Sequence, residues 1–189
     1  MKTVLHVGCG GQYVPADLFQ PEQWIERRLD IDPNVNPDYV YDIRDLPFLA
    51  LFDAVYSAHN LEHVHAHEVQ KALAGFYRAL VPGGMVHVSV PDMQLVAQNI
   101  AEGNLTRTLY DSPAGQITPL DVLYGHQGAI QSGNGYYAHR TGFVADSLGE
   151  ALVAAGFIDV AVTREPNLFQ LSAHGRKPER AAEPLTFTV

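Results

Sequence analysis

The stretch "HNLEHVHAHE", residues 59–68, places four histidines and two glutamates in ten positions. Imidazoles and carboxylates serve two kinds of chemistry, metal ligation and proton transfer near neutral pH. Ligation requires donor atoms that converge on one point. His59 and His63, or His63 and His67, share a face at i,i+4 on a helix, whereas His63, His65 and His67 share one only on a strand. Helical spacing resumes near His67, so no single element brings all four together, and the H-E-x-x-H zinc spacing is absent. The stretch is therefore read without a metal, and proton transfer is the chemistry left to it.

The rest of the chain supplies the elements that hold these side chains. "TVLHV" (residues 3–7) is a β-branched run that ends in glycines, the pattern of a buried strand opening into a tight turn. "RRLDI" (27–31), "DYVYDI" (38–43) and "LFDAVYS" (51–57) read as three more strands, bounded by Pro33, Pro37 and Pro47. "HEVQKALAGFYRAL" takes helical spacing, with Val69, Leu73, Phe76, Tyr77 and Leu80 on one face, and "VPGG" stops it. "MVHVSV" (85–90) is a fifth strand, "GFVADSLGEALVAAGF" a second helix ending at Gly156, and "FIDVAVT" and "LFQLSAH" are closing strands.

This alternation predicts an α/β, Rossmann-like fold with a central, mostly parallel sheet and helices on both faces. Residues 1–175 are read as one domain and 176–189 as a loosely ordered tail. Residues 92–140, rich in glycine, tyrosine, histidine and glutamine, break the rhythm after a central strand. An insertion there lies at the ligand-holding edge of a parallel sheet, which makes it a lid candidate.

Composition narrows the partners. With 189 residues, 47% of them apolar and 17% charged, the chain can bury a core of its own. Its 12 basic and 21 acidic residues give a net charge of −9, which argues against a protein that grips nucleic acid by its phosphates. Cys9 is the only cysteine, so no intrachain disulfide forms and a reducing compartment is expected. The longest apolar run, "ALVAAGFIDVAV", is broken by Asp159 and too short for a bilayer. A cytoplasmic protein with neither a nucleic-acid nor a membrane partner is expected.

Glycines after a first strand and an aspartate closing the next, as in "VLHVGCGGQ" followed by "LDID", suit a nucleoside cofactor. The bare backbone lets a ligand approach, and the carboxylate accepts from ribose hydroxyls. In the dinucleotide spacing G-x-G-x-x-G, the third glycine would stand at Tyr13. Five segments, "VLHVGCGG", "LDIDP", "DIRDLPF", "FDAVYSAHNLEHV" and "YRALVPGGMVHVSVPD", resemble in order and spacing the class I S-adenosylmethionine (SAM) dependent methyltransferases, particularly the small type 11 domains.

The resemblance implies roles. Gly8 and Gly10 would flank the methionine part of S-adenosyl-L-methionine. Asp30, with Ile31 beside it, would bind the ribose hydroxyls. Asp42 would accept from the adenine amino group, with the Ile43 amide facing the ring, and Ser57 would border the methionine moiety. "LEHV" belongs to the family's own motif, which explains Glu62 and His63 without a metal. Two departures stand out: His6 where the family usually has an acidic residue, and Gln12 where it has a third glycine, although Gly11 adds one a position earlier.

Methyl transfer is an in-line displacement, and holding donor and acceptor in line supplies much of the acceleration. A base matters only when the acceptor must lose a proton. His59, His126 and His139 are the candidates, His59 first because it follows the fourth strand. Tyr124, Tyr136 and Tyr137 are acceptor-side or lid candidates. The expected function is SAM-dependent methylation of a small-molecule or glycan-type acceptor. The alternative is a non-catalytic SAM-binding regulatory or assembly protein of the same fold.

Overall fold

The computed structural model describes residues 1–112 and 115–179. Its strands in chain order are β1 (Lys2–Val7), β2 (Trp24–Asp30), β3 (Tyr39–Val40), β4 (Phe52–Ala58), β5 (Leu80–Pro91), the small hairpin β6 (Tyr110–Ser112) and β7 (Gly115–Ile117), then β8 (Ile158–Glu165) and β9 (Gln170–Arg176). Among the described residues five α-helices accompany them: α1 (Val69–Ala79), α2 (Met93–Ala101), α3 (Pro119–Tyr124), α4 (Gln127–Gln131) and α5 (Ala145–Ala154).

Seven strands form one sheet in the order β3-β2-β1-β4-β5-β9-β8. The first five pair in parallel, and β9 runs antiparallel to both β5 and β8. The chain moves outward from β1 to β3, then returns to lay β4 on the other side of β1. That reversal opens a crevice beyond the carboxyl ends of β1 and β4, where ligands of such sheets bind.

Side chains alternate across the strands and divide the apolar residues into two clusters. Leu5, Val7, Val55, Val86 and Val88 face the larger core with α1 and α5. On α1 the buried residues Val69, Ala72, Leu73 and Phe76 follow the i, i+3, i+4, i+7 spacing of one helix face. Each fully buried leucine there contributes about 1.5–3 kcal/mol. On α5, Leu148 and Leu152 do the same, and Gly156 at φ 98° closes the helix, a conformation that favours glycine.

Val4 and Ala54 point the opposite way, into a smaller cluster closed by Phe19, with Trp24 and Tyr56 packed beside it. Phe19 comes from residues 8–23, which form turns. On this side of β1 and β4 it is that turn-rich segment, not a helix, that closes the cluster.

Three sequence expectations shift. The third strand is only two residues long, because Pro37 precedes it and Asp42 caps a 3-10 turn over Ile43–Asp45. "VPGG" does end α1, yet it lies within β5. A register shift between Phe52 and Ala54 lets β5 continue, with Gly83 at φ 78°. At the other end, Arg176 completes β9 and Lys177 Nζ donates to the carbonyls of Tyr77 and Leu80 at 2.9 and 2.7 Å. Of the tail read as loose, residues 180–189 lie outside the described residues.

Candidate active site

A cavity of about 300 Å³ opens at the carboxyl edge of the sheet, against Gly8 after β1, Asp30 and Ile31 at the end of β2, and His59 after β4. Its wall continues over Asp42, Ile43 and Arg44, and then over Asn134, Tyr136, Tyr137 and Arg140 of the segment after β5. The two ends of this single pocket are built differently.

At the first end the backbone does the positioning. Gly8 has φ 64°, and a Cβ there would sit 2.3 Å from the Asn60 amide nitrogen. Only glycine fits between β1 and Asn60. Asp30 Oδ2 accepts from the Gly10 amide at 2.8 Å and Oδ1 from the Asp32 amide at 2.9 Å. The carboxylate is thereby fixed on the pocket wall, and each oxygen keeps lone-pair capacity for a further donor. Arg28 ties the same turn by donating to the Gly10 carbonyl at 2.6 Å.

Asp42 caps the 3-10 turn by accepting from the Arg44 amide at 2.9 Å, and it pairs with the Arg44 guanidinium. That guanidinium holds its carboxyl below the ordinary carboxylate range, against the opposing effect of partial burial. Arg44 also reaches Glu68 at 2.7 Å, so its charge is answered twice. The pocket therefore presents glycine backbone and carboxylates, with no lysine in its lining. Such a donor set fits a sulfonium and an ammonium, together with hydroxyl and amino groups, better than it fits phosphates.

At the second end the residues come from separate parts of the chain. His59 has φ 48°, its amide donates to the Ser89 carbonyl at 2.9 Å, and its Nε2 lies 2.7 Å from Gln170 Oε1 on β9. Its Nδ1 stands 3.4 Å from Glu62 Oε1. Partial burial of the ring favours the neutral form, but Glu62 outweighs it and, with Gln170 and Glu165, raises the His59 pKa above its ordinary value. Glu62 is fully buried, which disfavours its charge, but the facing histidines His59, His63 and His139 lower its pKa.

The segment after α4 closes on this end. The amides of Arg140 and Thr141 donate to the Glu62 carbonyl at 2.8 and 3.2 Å, and His63 Nδ1 donates to the Ala138 carbonyl at 3.1 Å. Gly125, at φ 95°, passes so close to this strip that a Cβ would fall 1.8 Å from the Tyr137 carbonyl oxygen.

Of the residues singled out in the sequence, the pocket brings together Gly8, Gly10, Asp30, Ile31, Asp42, Ile43 and His59, with Tyr136 and Tyr137. Ser57 is fully buried and outside the lining. His126 is also outside it: its Nδ1 accepts from the Ala129 amide at 3.1 Å and caps α4. His139 stands behind the wall, its Nδ1 donating to the Val122 carbonyl at 2.7 Å. Tyr124 is exposed and away from the pocket. His6 does not reach the pocket either; it is buried against Glu26, with Nδ1 2.6 Å from Oε1.

Asn60, Asn134 and Arg140 were not singled out. Asn60 follows His59 inside an already suspect stretch, so its position was the available signal. Arg140 and Asn134 carry none, because their place depends on contacts far along the chain.

Residues 5–88 match the family model described as "Methyltransferase domain", of the type 11 kind. No curated protein matches the chain. Among solved structures, a possible exported protein from Bordetella parapertussis is similar at 18% identity and TM-score 0.60, with 94% of this chain and 62% of that one covered. The chain thus spans less than two thirds of that protein's length. The 1,6-didemethyltoxoflavin N1-methyltransferase of Burkholderia thailandensis, solved with its substrate and S-adenosylhomocysteine, is similar at 20% identity and TM-score 0.57, covering 94% and 71%. A SAM-dependent methyltransferase from Methanosarcina mazei is similar at 13% identity and TM-score 0.63, covering 95% and 93%. These structures share the fold, and the matched segments carry the glycine turn, the strand-end Asp30 and the 3-10 turn of Asp42. Residues 5–88 are thus similar to the type 11 methyltransferase domain, and the rest of the chain shares the fold of these SAM-dependent enzymes.

Proposed function

We propose that the protein transfers the methyl group of SAM to a small, polar, polyhydroxylated acceptor of the small-molecule or glycan type. The observation that carries this reading is the continuity of one pocket, from Asp30 and Asp42 to His59, Asn134, Tyr136, Tyr137 and Arg140. The first end suits the cofactor. The second offers amide, imidazole and guanidinium groups for hydroxyls and two tyrosine rings for the apolar face of a sugar-like ring.

When bound, SAM supplies a methyl group activated by its sulfonium. Asp30 holds the ribose hydroxyls and Asp42 the adenine amino group, with Gly8 and Gly10 leaving room for the methionine part. His59 is the group placed to take a proton from an acceptor hydroxyl. Its ring is held by Gln170, and Glu62 stabilises the imidazolium that would form. The net charge of −9 speaks against a nucleic-acid acceptor. Among the described residues no helix is long and apolar enough to cross a membrane.

The test is formation of S-adenosylhomocysteine against a panel of polyols, glycans, amines and short RNA. Turnover with hydroxyl acceptors that is lost in His59→Ala supports the proposal. Turnover confined to amines or RNA would refute the acceptor class.

A further inference from the structure

We propose that Glu62, His63 and His139 form a binding site for a divalent first-row transition-metal ion, zinc foremost, behind the acceptor end of the pocket. One ligand-capable atom from each of the three lies within 4.8 Å of the other two. Glu62 and His63 stand on the 3-10 turn after β4, while His139 arrives from the far side of the segment after β5.

The hydrogen bonds fix which atoms are free. His63 Nδ1 faces the Ala138 carbonyl and His139 Nδ1 the Val122 carbonyl, and a carbonyl oxygen can only accept. Both rings therefore carry their proton on Nδ1, which leaves the Nε2 lone pair of each available. Metal-binding histidines are oriented in this way, with the second nitrogen donating to a backbone carbonyl. The two rings meet edge to face with centroids 4.8 Å apart.

Within reach of both is the carboxylate of Glu62, 1% exposed, and neither of its oxygens accepts a hydrogen bond among the described residues. A buried carboxylate without hydrogen-bond donors needs a cation. Without an ion, His59 Nδ1 at 3.4 Å from Glu62 Oε1 is the nearest group that can answer it, as an imidazolium.

The chemistry of the donors selects the ion. Two imidazoles and one carboxylate suit zinc and its first-row neighbours, whereas magnesium and calcium prefer oxygen ligands. A tetrahedral ion about 2.1 Å from each donor needs donor separations of about 3.4 Å, so a small inward rotation of the rings closes the set. Three protein ligands leave one position open, and His63 is part of the pocket wall. That position is where an acceptor oxygen would be held, a consequence that rests on the methyltransferase reading. Binding of the ion does not.

The residues had escaped the spacing rule because that rule compares histidines within one element. Here the third ligand lies on a distant segment, tied to Glu62 by the Arg140 and Thr141 amides.

The test is titration of chelator-stripped protein with cobalt(II), followed by its visible ligand-field absorption and by displacement with zinc. Expected are saturation at one ion per chain, a higher thermal midpoint with zinc, and a loss of affinity of at least about tenfold in both His63→Gln and His139→Gln. A double variant of the exposed, stacked pair His65 and His67, each changed to Gln, should bind as the wild type does. The proposal is overturned if the wild type shows no ligand-field band with cobalt in excess. It is equally overturned if His139→Gln binds undiminished, or if the His65/His67 double variant abolishes binding. Because the wild-type titration decides without any variant, a substitution that prevents folding leaves the answer intact. Titrating the metal-free and zinc-loaded protein with S-adenosylhomocysteine reads the cofactor assignment separately.

Discussion

The two ends of the pocket contrast in how they are held. The cofactor end is mostly local: Gly10, Asp30 and Asp42 are positioned by backbone amides and by neighbours no more than about two dozen positions away. The acceptor end is a meeting of strangers. His59 leans on Gln170, His63 on Ala138, and Glu62 on Arg140, across intervals of 75 residues or more in all three cases. A short-range site survives changes elsewhere in the chain. A long-range site depends on the intervening segment keeping its shape.

The largest expected effect breaks the cofactor end at its anchor. Asp30→Ala removes the proposed ribose acceptor and the partner of the Gly10 and Asp32 amides. Affinity for S-adenosylhomocysteine should fall at least about a hundredfold, or about 2.7 kcal/mol. An unchanged calorimetric isotherm would refute the ribose assignment.

Gly125→Ala attacks the other end. Its new methyl group would meet the Tyr137 carbonyl and force a strained φ. Turnover should drop about tenfold, with a stability loss of about 1–3 kcal/mol, while affinity for S-adenosylhomocysteine changes less than about threefold. If binding and turnover fell together, the two ends would not be separable.

Tyr136→Ala is gentler: it removes one aromatic wall from an exposed position. An increase of about threefold in acceptor KM is expected, equivalent to about 0.7 kcal/mol, with kcat little changed. A fall in kcat alone would place Tyr136 at the reacting atoms instead.

The smallest effect concerns the strand beneath the cofactor end. Burial lowers the His6 pKa below its ordinary value, more than Glu26 raises it. The unfolded chain therefore binds the proton first, and stability is full above the ordinary pKa of about 6.5 and declines as pH falls through that value. His87 and His139 are shifted in the same direction, mainly by burial. Urea unfolding midpoints should fall on acidification, and His6→Asn should flatten part of that slope. A midpoint that rises on acidification would contradict the burial argument.

The same contrast explains what the sequence made legible. β1, β2, β4 and α1 follow from short-range apolar patterns and glycine or proline punctuation; Gly8 and Asp30 stand out as a glycine turn and a strand-end carboxylate, and Asp42 only through the family resemblance. Ser57 was expected at the pocket because it closes the fourth strand, but strand alternation turns it inward, where it is fully buried. His126 looked like acid–base chemistry in a histidine-rich loop, and the local backbone took it as a helix cap. His139 and Arg140 could not be joined to Glu62 from spacing, since only the folded segment after β5 brings them there.

The most direct test of the central claim is calorimetric titration of the purified protein with SAM and S-adenosylhomocysteine. The cofactor end as built should bind one S-adenosylhomocysteine per chain, with SAM competing for the same site. Absence of heat with both compounds at about millimolar ligand would contradict it.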